Sequence, residues 1–483
     1  MSQALRPLVR LPWRSVPLRP FLARRSYSFR FKEQAQGLKT DYLDLNRAVS
    51  AEARPSADFS HKYLGRPSPE GVRLVHSKLE IIIEGETRHF RYPLLRDACK
   101  CNLCIDEHSK QRKFRTSDIP PTIVPRDVQW DGKELQIEWA TDIKGWSPGH
   151  VSKYSVEMLK DAKANPPESD TGTMRRRFLW DNKTMEERQY WVSYEDYMNN
   201  ETAFIKSMRH LALMGIIFVK NIPDSREMVE KIATKMGPLR NTFYGPTWDV
   251  RSVPKAPNVA YTNVFLGFHM DLMYMNEPPG FQLLHCLENS CEGGESLFVD
   301  GFRVAELIRW KYPEQFEDLT KLRLNYEYNH KEHIYNNSWP VVETEDGDPK
   351  KRILHVNYSP PFQAPLLSDD NHQMPWIEYS RALRAFAREI ERPYNVFQLK
   401  LNPGECVIFE NRRILHARNQ FNTEQGKRWL AGTYVDEDDV LSTFRKCRNT
   451  QYHTWHWTRV TGPKHATEAA AEGEAIAANH RTE

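Results

Sequence analysis

Two histidines and an aspartate with the spacing of iron ligands stand out from the rest of the chain. His269 and Asp271 lie two residues apart in GFHMD, and on a β-strand both side chains would project from the same face. His416 follows a short apolar run, CVIF (406–409), that is typical of a buried strand. Two imidazoles and one carboxylate on one face of a metal leave the opposite positions open, as in the facial triad of non-haem Fe(II) oxygenases. The three residues therefore predict a catalytic iron site with room for a 2-oxo acid and oxygen.

An arginine after the second histidine suggests the co-substrate. Arg428 comes twelve residues after His416 and opens the strand-like run RWLAGTY, whose alternation would place Arg428 and Tyr434 on one face. A guanidinium there would hold the distal carboxylate of 2-oxoglutarate by a two-pronged hydrogen bond. A surface ion pair is the simpler interpretation of a lone arginine, and an H-x-D pair alone occurs by chance. Their combination favours an iron and 2-oxoglutarate site.

A cysteine cluster predicts a second metal site. Cys99, Cys101 and Cys104 form C-x-C-x-x-C, and three thiolates with one imidazole would complete a closed, structural zinc site. Two histidines, His108 and His150, compete as the fourth ligand, and a group of free thiols is the alternative. The chain has seven Cys and no secretory signal, which favours metal binding over a disulfide framework.

The positive charge of the chain is concentrated at its start. Residues 1–30 contain seven Arg and no Lys, Asp or Glu. Since the whole chain has a formal net charge of +4, the remaining residues have a net charge of −3. This composition is typical of a mitochondrial transit peptide, with a disordered basic arm as the alternative. The near-neutral remainder gives no reason to expect a nucleic-acid partner. No apolar run reaches the length of a membrane span. We therefore expect a protein of the mitochondrial matrix, with the cytoplasm as the alternative.

Strand-like runs with turn signals between them outnumber helical patterns. Order is expected to begin near Leu74, and a charged, proline-containing linker is expected over 161–182. Helical spacing appears at 204–214 and most clearly at 375–393. The expected strands are 79–84, 88–92, 135–139, 215–219, 282–286, 297–299, 406–409 and 429–435. We therefore predict an α+β, mainly β chain with a small β-rich N-terminal domain at 75–155, a β-barrel or sandwich domain at 195–450, and a flexible tail at 462–483.

Seven motifs, in their order along the chain, closely resemble the family of γ-butyrobetaine dioxygenase and trimethyllysine dioxygenase. They are FYGPTW (243–248), NVAYT (258–262), FHMD (268–271), PPGFQLLHC (278–286), GGES (293–296), VDGF (299–302) and ENRRILHAR (410–418). The resemblance implies a double-stranded β-helix (jelly-roll) catalytic domain and an N-terminal zinc-binding domain in which His150 is the fourth ligand. It also implies that Asn258 and Ser296 assist Arg428 in binding 2-oxoglutarate. Met270 and Ala417 depart from the Thr and Gly usual in the family, which affects the shape of the pocket more than its chemistry.

The same resemblance implies an aromatic cage for a trimethylammonium group, which cannot donate a hydrogen bond and is bound by aromatic faces. The matching residues are Tyr244, Trp248, Tyr261 and Tyr434, with Asn357 holding the substrate carboxylate. Taken one by one, these aromatic residues would be interpreted as core. The tyrosine at 244 makes the chain more similar to the butyrobetaine branch, because the corresponding motif of the trimethyllysine branch has Phe at this position.

The resemblance therefore implies hydroxylation of γ-butyrobetaine to L-carnitine, with release of succinate and CO2 and with ascorbate as reductant. Trimethyllysine or another trimethylammonium metabolite is the alternative substrate. A catalytically silent zinc-domain binding protein is the alternative of a different class, although the intact triad and Arg428 argue against it. A homodimer is expected from the resemblance alone.

Overall fold

The computed structural model describes residues 57–146, 149–161, 171–251, 263–348, 350–366, 375–424 and 426–458. These residues fall into two compact units that divide between Lys160 and Asp161. Four expectations lie outside the described residues: the transit peptide, the C-terminal tail, and the roles of Asn258 and Tyr261.

The first unit contains two three-stranded antiparallel sheets, with strand orders β1-β2-β3 and β4-β5-β6. Its strands are β1 (Val72–Val75), β2 (Lys78–Ile83), β3 (Glu86–Arg91), β4 (Pro125–Trp130), β5 (Glu134–Trp139) and β6 (Val151–Ser155). Its helices are α1 (Ser60–Leu64), α2 (Tyr92–Asp97) and α3 (Val156–Asp161), with a 3-10 turn at Thr116–Asp118. Strand alternation along β5 buries Leu135, Ile137 and Trp139 in the core of this unit.

Two expectations for this unit were wrong in detail. Ordered structure begins before Leu74, because α1 precedes β1 and the backbone N–H of Phe59 donates to the Leu74 carbonyl. A five-residue helix is too short to show helical spacing in the sequence. The strand expected to reach Tyr92 ends one residue earlier, because Pro93 lies in the first turn of α2, where proline favours the start of a helix.

The second unit is built on a six-stranded sheet, β7-β8-β18-β11-β20-β9, and a four-stranded sheet, β10-β19-β12-β17. Smaller hairpins pair β13 with β14 and β15 with β16. The strands are β7 (Trp191–Ser193), β8 (Ile216–Lys220), β9 (Thr247–Val250), β10 (Leu266–His269), β11 (Phe281–Asn289), β12 (Ser296–Asp300), β13 (Arg323–Asn329), β14 (Ile334–Pro340), β15 (Val342–Thr344), β16 (Ile353–Val356), β17 (Phe397–Leu399), β18 (Cys406–Glu410), β19 (Ile414–Arg418) and β20 (Arg428–Val435). Side chains of both large sheets, including Phe298, Phe409 and Leu415, share one core. This is the predicted double-stranded β-helix, in an α+β chain that is mainly β.

Helices cover the outer face of the six-stranded sheet. The helices of this unit are α4 (Asn182–Arg188), α5 (Tyr194–Asn199), α6 (Glu201–Met214), α7 (Met228–Thr234), α8 (Gly301–Lys311), α9 (Pro313–Lys321), α10 (Trp376–Ile390), α11 (Glu437–Thr450) and α12 (Tyr452–Trp457), with a 3-10 turn at Pro360–Phe362. Alternate residues of β11 divide between two cores: Leu284 lies between the two large sheets, and Leu283 packs with the helices. Among the described helices, none is long and apolar enough to cross a membrane.

The described part of the expected linker, residues 171–182, belongs to the core of the second unit. Trp180 is buried, and its indole N–H donates a 2.8 Å hydrogen bond to the Met214 carbonyl. Arg175 and Arg177 form ion pairs with the buried Glu410, at 2.8 and 2.9 Å. The charged sequence suggested a solvated segment because the carboxylate that pairs with these arginines lies far along the chain.

Candidate active site

Antiparallel pairing of β10 with β19 brings the predicted iron ligands together. His269 and His416 are register partners across the two strands, and Asp271 follows at the end of β10. Asp271 Oδ1 lies 3.4 Å from His269 Nε2 and 3.7 Å from His416 Nε2. The three ligand atoms therefore point at one position, which a single metal ion would occupy.

The protonation of these three groups suits a metal site. His269 Nδ1 lies 2.8 Å from the Gly267 carbonyl, so this nitrogen donates and Nε2 keeps a free lone pair. Burial and the neighbouring His269 lower the pKa of His416 to about 3, which keeps the imidazole neutral. Burial raises the pKa of Asp271, but its contacts with His269 and His416 outweigh burial and hold the pKa below its usual range. Two imidazoles and a carboxylate are a ligand set that fits Fe(II).

A small cavity opens from the iron ligands into the barrel. Ser296 and Arg428, both predicted to bind 2-oxoglutarate, line it together with His269, Asp271 and His416. The other lining residues are Trp248, Val250, Leu266, Gln282, Leu284, Phe298, Ala417, Arg418 and Leu430. The three predicted iron ligands therefore share one compartment with Ser296 and Arg428, the two predicted co-substrate residues that the structure describes.

Arg428 is a buried cation that no described carboxylate accompanies. Burial lowers the pKa of its guanidinium to about 10, and its Nε donates to the Gly294 carbonyl at 3.3 Å. Gly294 has a φ of +73°, and a Cβ there would lie 3.1 Å from Arg428 Cδ. This glycine therefore allows the arginine to pass close to the backbone. A buried guanidinium without an ion-pair partner fits the carboxylate of a co-substrate.

Two of the predicted cage residues pack against each other beside the iron ligands: Trp248 lines the cavity, and Tyr434 lies behind it. The rings of Trp248 and Tyr434 lie 5.1 Å apart at an angle of 39°. Trp248 is the register partner of Gly432 on β20, and a Cβ on Gly432 would lie only 2.2 Å from the indole ring. The glycine at this position is therefore required for the indole to lie against the strand. The Tyr434 hydroxyl donates to Asp271 Oδ2 at 2.7 Å.

Tyr244, the third described cage residue, belongs to a larger aromatic cluster. Its ring lies 4.1 Å from that of Phe243 and 6.3 Å from that of Tyr328. Burial raises the pKa of Tyr274, and the nearby Tyr244 hydroxyl raises it further. Burial and Asp271 raise the pKa of Tyr434, with a smaller contribution from Tyr244. Tyr244 therefore belongs to the aromatic cluster that also contains Tyr274 and Tyr328.

The side chain of Asn357 is engaged away from the cavity. Its amide N–H donates to the Pro340 carbonyl at 2.8 Å, and its Oδ1 accepts from Nε and Nη2 of Arg412 at 3.1 and 2.7 Å. Asn357 is fully buried and does not line the cavity. These contacts give no support to the predicted role of Asn357 in holding a substrate carboxylate.

Gln282 and Arg418 line the cavity but were not among the predicted site residues. Gln282 is 2% exposed, and its Oε1 has no hydrogen-bond partner among the described residues. Both lie in motifs identified from the sequence, and a polar residue in the apolar strand FQLLHC was an available signal. Strand alternation places Gln282 on the same face of β11 as Leu284, toward the cavity.

The cysteine cluster of the first unit has the arrangement of a zinc site. Cys99 Sγ and Cys104 Sγ lie 3.5 and 3.3 Å from His150 Nε2, and the ligand atoms of these residues and Cys101 lie within 4.8 Å of one another. Hydrogen bonds from Cys104 and His150 lower the pKa of the Cys99 thiol, although burial opposes them. His150, and not His108, is the histidine that the structure brings to the cluster.

A buried ion pair supports this cluster and was not identified from the sequence. His150 Nδ1 lies 2.5 Å from Asp142 Oδ2, and Arg96 Nε donates to Asp142 Oδ1, also at 2.5 Å. Arg96 Nη1 donates to Cys104 Sγ at 3.3 Å. Burial lowers the pKa of His150, but the hydrogen bond with Asp142 outweighs it and raises the pKa to about 9. The carboxylate thus fixes the imidazole with Nε2 toward the thiols, as in carboxylate–histidine–zinc groups.

Two family models match the chain. Taurine catabolism dioxygenase TauD, TfdA family, matches residues 186–434, and Gamma-butyrobetaine hydroxylase-like, N-terminal, matches residues 75–160. Among curated relatives, Dioxygenase str8 of Strobilurus tenacellus is 34% identical over 74% of this chain and 85% of its own length. Trimethyllysine dioxygenase, mitochondrial, of Mus musculus is 31% identical over 76% of this chain and 85% of its own length. Gamma-butyrobetaine dioxygenase of Pongo abelii is 28% identical over 73% of this chain and 90% of its own length.

Proposed function

Because the chain belongs to the taurine catabolism dioxygenase TauD, TfdA family and is a 2-oxoglutarate-dependent dioxygenase, we propose that it hydroxylates γ-butyrobetaine to L-carnitine. Succinate and CO2 are the co-products. The observation that carries the proposal is the aromatic pair beside the iron ligands: Trp248 lines their cavity, and Tyr434 packs against Trp248 and donates to Asp271. Aromatic faces attract a quaternary ammonium by up to about 2 kcal/mol each when water is excluded.

In this proposal His269, Asp271 and His416 hold Fe(II), which supplies the oxygen-activating redox chemistry when bound. Arg428 binds the distal carboxylate of 2-oxoglutarate, and Ser296 lies in the same cavity to donate a further hydrogen bond. The buried, largely apolar lining excludes water from the reacting groups.

The aromatic residues then fix the substrate by its ammonium end. Trp248 and Tyr434 contact the methyl groups. Tyr244 and Tyr261 complete the aromatic cage. Fixing the ammonium places one C–H of a short substrate next to the metal, which is positioning rather than acid–base catalysis. Asn258 is a second contact of 2-oxoglutarate, whereas the side-chain amide of Asn357 is engaged with Pro340 and Arg412 instead of a substrate carboxylate.

The remaining assignments belong to the same proposal. Cys99, Cys101, Cys104 and His150 hold a structural Zn²⁺, ascorbate keeps the iron reduced, and the protein acts as a homodimer in the mitochondrial matrix. Relatives named as mitochondrial and the arginine-rich residues 1–30 support the location.

Trimethyllysine is the second candidate substrate, because the mouse trimethyllysine dioxygenase is 31% identical to the chain and the orangutan γ-butyrobetaine dioxygenase 28%. The two substrates share the trimethylammonium group and differ at the other end, where trimethyllysine carries an additional amine.

The test is to incubate the purified, zinc-loaded protein with Fe(II), 2-oxoglutarate, ascorbate and each substrate in turn, and to detect the hydroxylated product by mass. We expect a product 16 Da heavier from γ-butyrobetaine, with an equal amount of succinate. Product from trimethyllysine alone would transfer the proposal to the second candidate. No product from either, and succinate formation that neither stimulates, would overturn the trimethylammonium assignment. The silent binding protein would then be favoured if His269→Ala also left the cellular role unchanged.

A further inference from the structure

Asn411 is a buried amide that contacts the iron-binding aspartate through its backbone. It lies in the turn between β18 and β19 and is fully buried. The geometry points to Asn411 as the positioning residue that holds Asp271 where its carboxylate meets His269 and His416. This inference depends on the iron triad and not on the identity of the substrate.

The side chain of Asn411 binds both polar atoms of the Asp271 backbone. The Asp271 N–H donates to Asn411 Oδ1 at 2.9 Å, and Asn411 Nδ2 donates to the Asp271 carbonyl at 3.0 Å. An amide that both accepts from and donates to one residue fixes the rotation of that residue as well as its position. The direction of the Asp271 side chain is therefore set from the barrel turn.

The same amide fixes the other end of the loop that begins at the metal ligand. Asn411 Nδ2 also donates to the Pro279 carbonyl at 3.0 Å, and the Asn411 backbone N–H donates to the Gly280 carbonyl at 2.8 Å. The loop between β10 and β11 is thus held at Asp271 and again at 279–280. All of the hydrogen-bonding groups named here are satisfied within the protein, as burial of the amide requires.

Backbone strain beside the ligand explains why such a hold is needed. Leu272, the residue after Asp271, has a φ of 57°, a left-handed conformation that is unfavourable for a leucine. Strained backbone persists only where the surroundings impose it. Without the two hydrogen bonds from Asn411, the loop would relax toward an ordinary conformation and carry the Asp271 carboxylate away from the histidines.

The side chain of Asp271 is held separately. Tyr434 donates to Oδ2, which leaves Oδ1 as the oxygen that faces the two histidines. The two contacts act on different parts of the residue: Asn411 sets the backbone, and Tyr434 sets the plane of the carboxylate. Loss of either is expected to weaken metal binding by roughly the 10- to 100-fold that outer-shell partners of metal ligands contribute.

The test compares Asn411→Ala with Asn395→Ala. Asn395 is an equally buried amide, 1% exposed, whose Nδ2 donates to the Glu389 carbonyl at 2.8 Å and whose Oδ1 accepts from Arg303. It does not line the cavity or contact an iron ligand. Mn²⁺ binding to zinc-loaded protein is followed by the electron paramagnetic resonance of free Mn²⁺, because this ion prefers oxygen and nitrogen donors and avoids the thiolate site. Thermal unfolding of the metal-free proteins is measured in parallel.

We expect both variants to unfold at lower temperature than the wild type, and Asn411→Ala alone to bind Mn²⁺ 10- to 100-fold more weakly. Equal Mn²⁺ affinity in the wild type and Asn411→Ala would overturn the inference, as would an equal loss in both variants. If Asn411→Ala does not fold, Asn411→Ser replaces it, since one hydroxyl, with a single O–H, cannot replace both hydrogen bonds that the amide donates. Its Mn²⁺ affinity should then lie below that of the wild type. Failure of the substrate assay would leave this result unaffected, because no substrate is added.

Discussion

The hydroxyl of Tyr434 donates a 2.7 Å hydrogen bond to Oδ2 of Asp271, while its ring packs 5.1 Å from that of Trp248. One side chain therefore contacts both the carboxylate of the iron site and the indole proposed to contact the ammonium. The two proposed functions can be separated, since the hydroxyl contacts the proposed metal ligand and the ring packs on the proposed ammonium site.

Tyr434→Phe removes the hydroxyl and keeps the ring. We expect Mn²⁺ affinity to fall about tenfold, because Asp271 loses the contact that orients its carboxylate, whereas the KM for the trimethylammonium substrate changes little. Trp248→Leu is the matched variant, with the KM raised and the Mn²⁺ affinity unchanged. Binding titrations and steady-state kinetics check both expectations. A variant pair that loses metal and substrate affinity together would contradict this separation.

Arg428→Met tests the co-substrate site. Loss of the guanidinium should weaken 2-oxoglutarate binding by about 2–5 kcal/mol, which corresponds to at least a thirtyfold rise in KM. Stability should not fall, because Arg428 is a buried cation that no described carboxylate pairs with, and its removal relieves a desolvation cost. Calorimetric titration and thermal unfolding measure the two effects.

Arg251→Met is the control for Arg428→Met. Arg251 is exposed, and its guanidinium carbon lies 4.1 Å from the ring centre of Trp429, the neighbour of Arg428 on β20. It should leave 2-oxoglutarate binding unchanged. An Arg428→Met protein that binds 2-oxoglutarate like the wild type would remove Arg428 from the co-substrate site.

Local patterns were enough to identify the parts of the site that lie on single strands. The alternation of Arg428 with Tyr434 on β20 follows from strand geometry. Asp271, expected on the same strand as His269, lies in the turn after β10, which ends at His269. The family resemblance connected the two motifs. The register that places His269 opposite His416 depends on long-range pairing, which spacing along the chain does not contain.

Residues whose contacts come from distant parts of the chain carry little signal in the sequence. Asp142 carries no signal in the sequence, because its importance comes from Arg96 and His150, which fold against it. Asn357 was assigned by resemblance, but only the structure reveals that Arg412 and Pro340 satisfy its amide.

Asp142→Asn tests the support of the zinc site. The amide keeps the size of the side chain but loses the charge that pairs with Arg96 and orients His150. Zinc affinity should fall 10- to 100-fold, as measured by competition with a chromophoric chelator. Asp97→Asn is the control: Asp97 forms a more exposed ion pair with Arg112 in the same unit, and its loss should change zinc affinity less than twofold. Equal effects of both substitutions would argue against a specific role for Asp142.

His285 predicts how stability depends on pH. It is fully buried, neither ring nitrogen has a hydrogen-bond partner among the described residues, and burial lowers its pKa to about 4. The unfolded chain, with a pKa of about 6.5, binds the proton more tightly. The stability from keeping this imidazole neutral is therefore fully present above pH 6.5 and is lost as the pH falls toward 4.

His285→Leu removes this titration and replaces the imidazole with an apolar side chain of similar size. Between pH 7 and pH 5 the wild type should lose about 2 kcal/mol more unfolding free energy than the variant. Urea unfolding at pH 7 and pH 5 measures the difference, with the iron site metal-free and the zinc site loaded in both proteins. Protonation of the carboxylates also lowers the free energy of unfolding at acidic pH. This contribution is the same in both proteins and cancels in the comparison. Parallel losses in the two proteins would mean that His285 is protonated in the folded state or reaches water, in conflict with its burial.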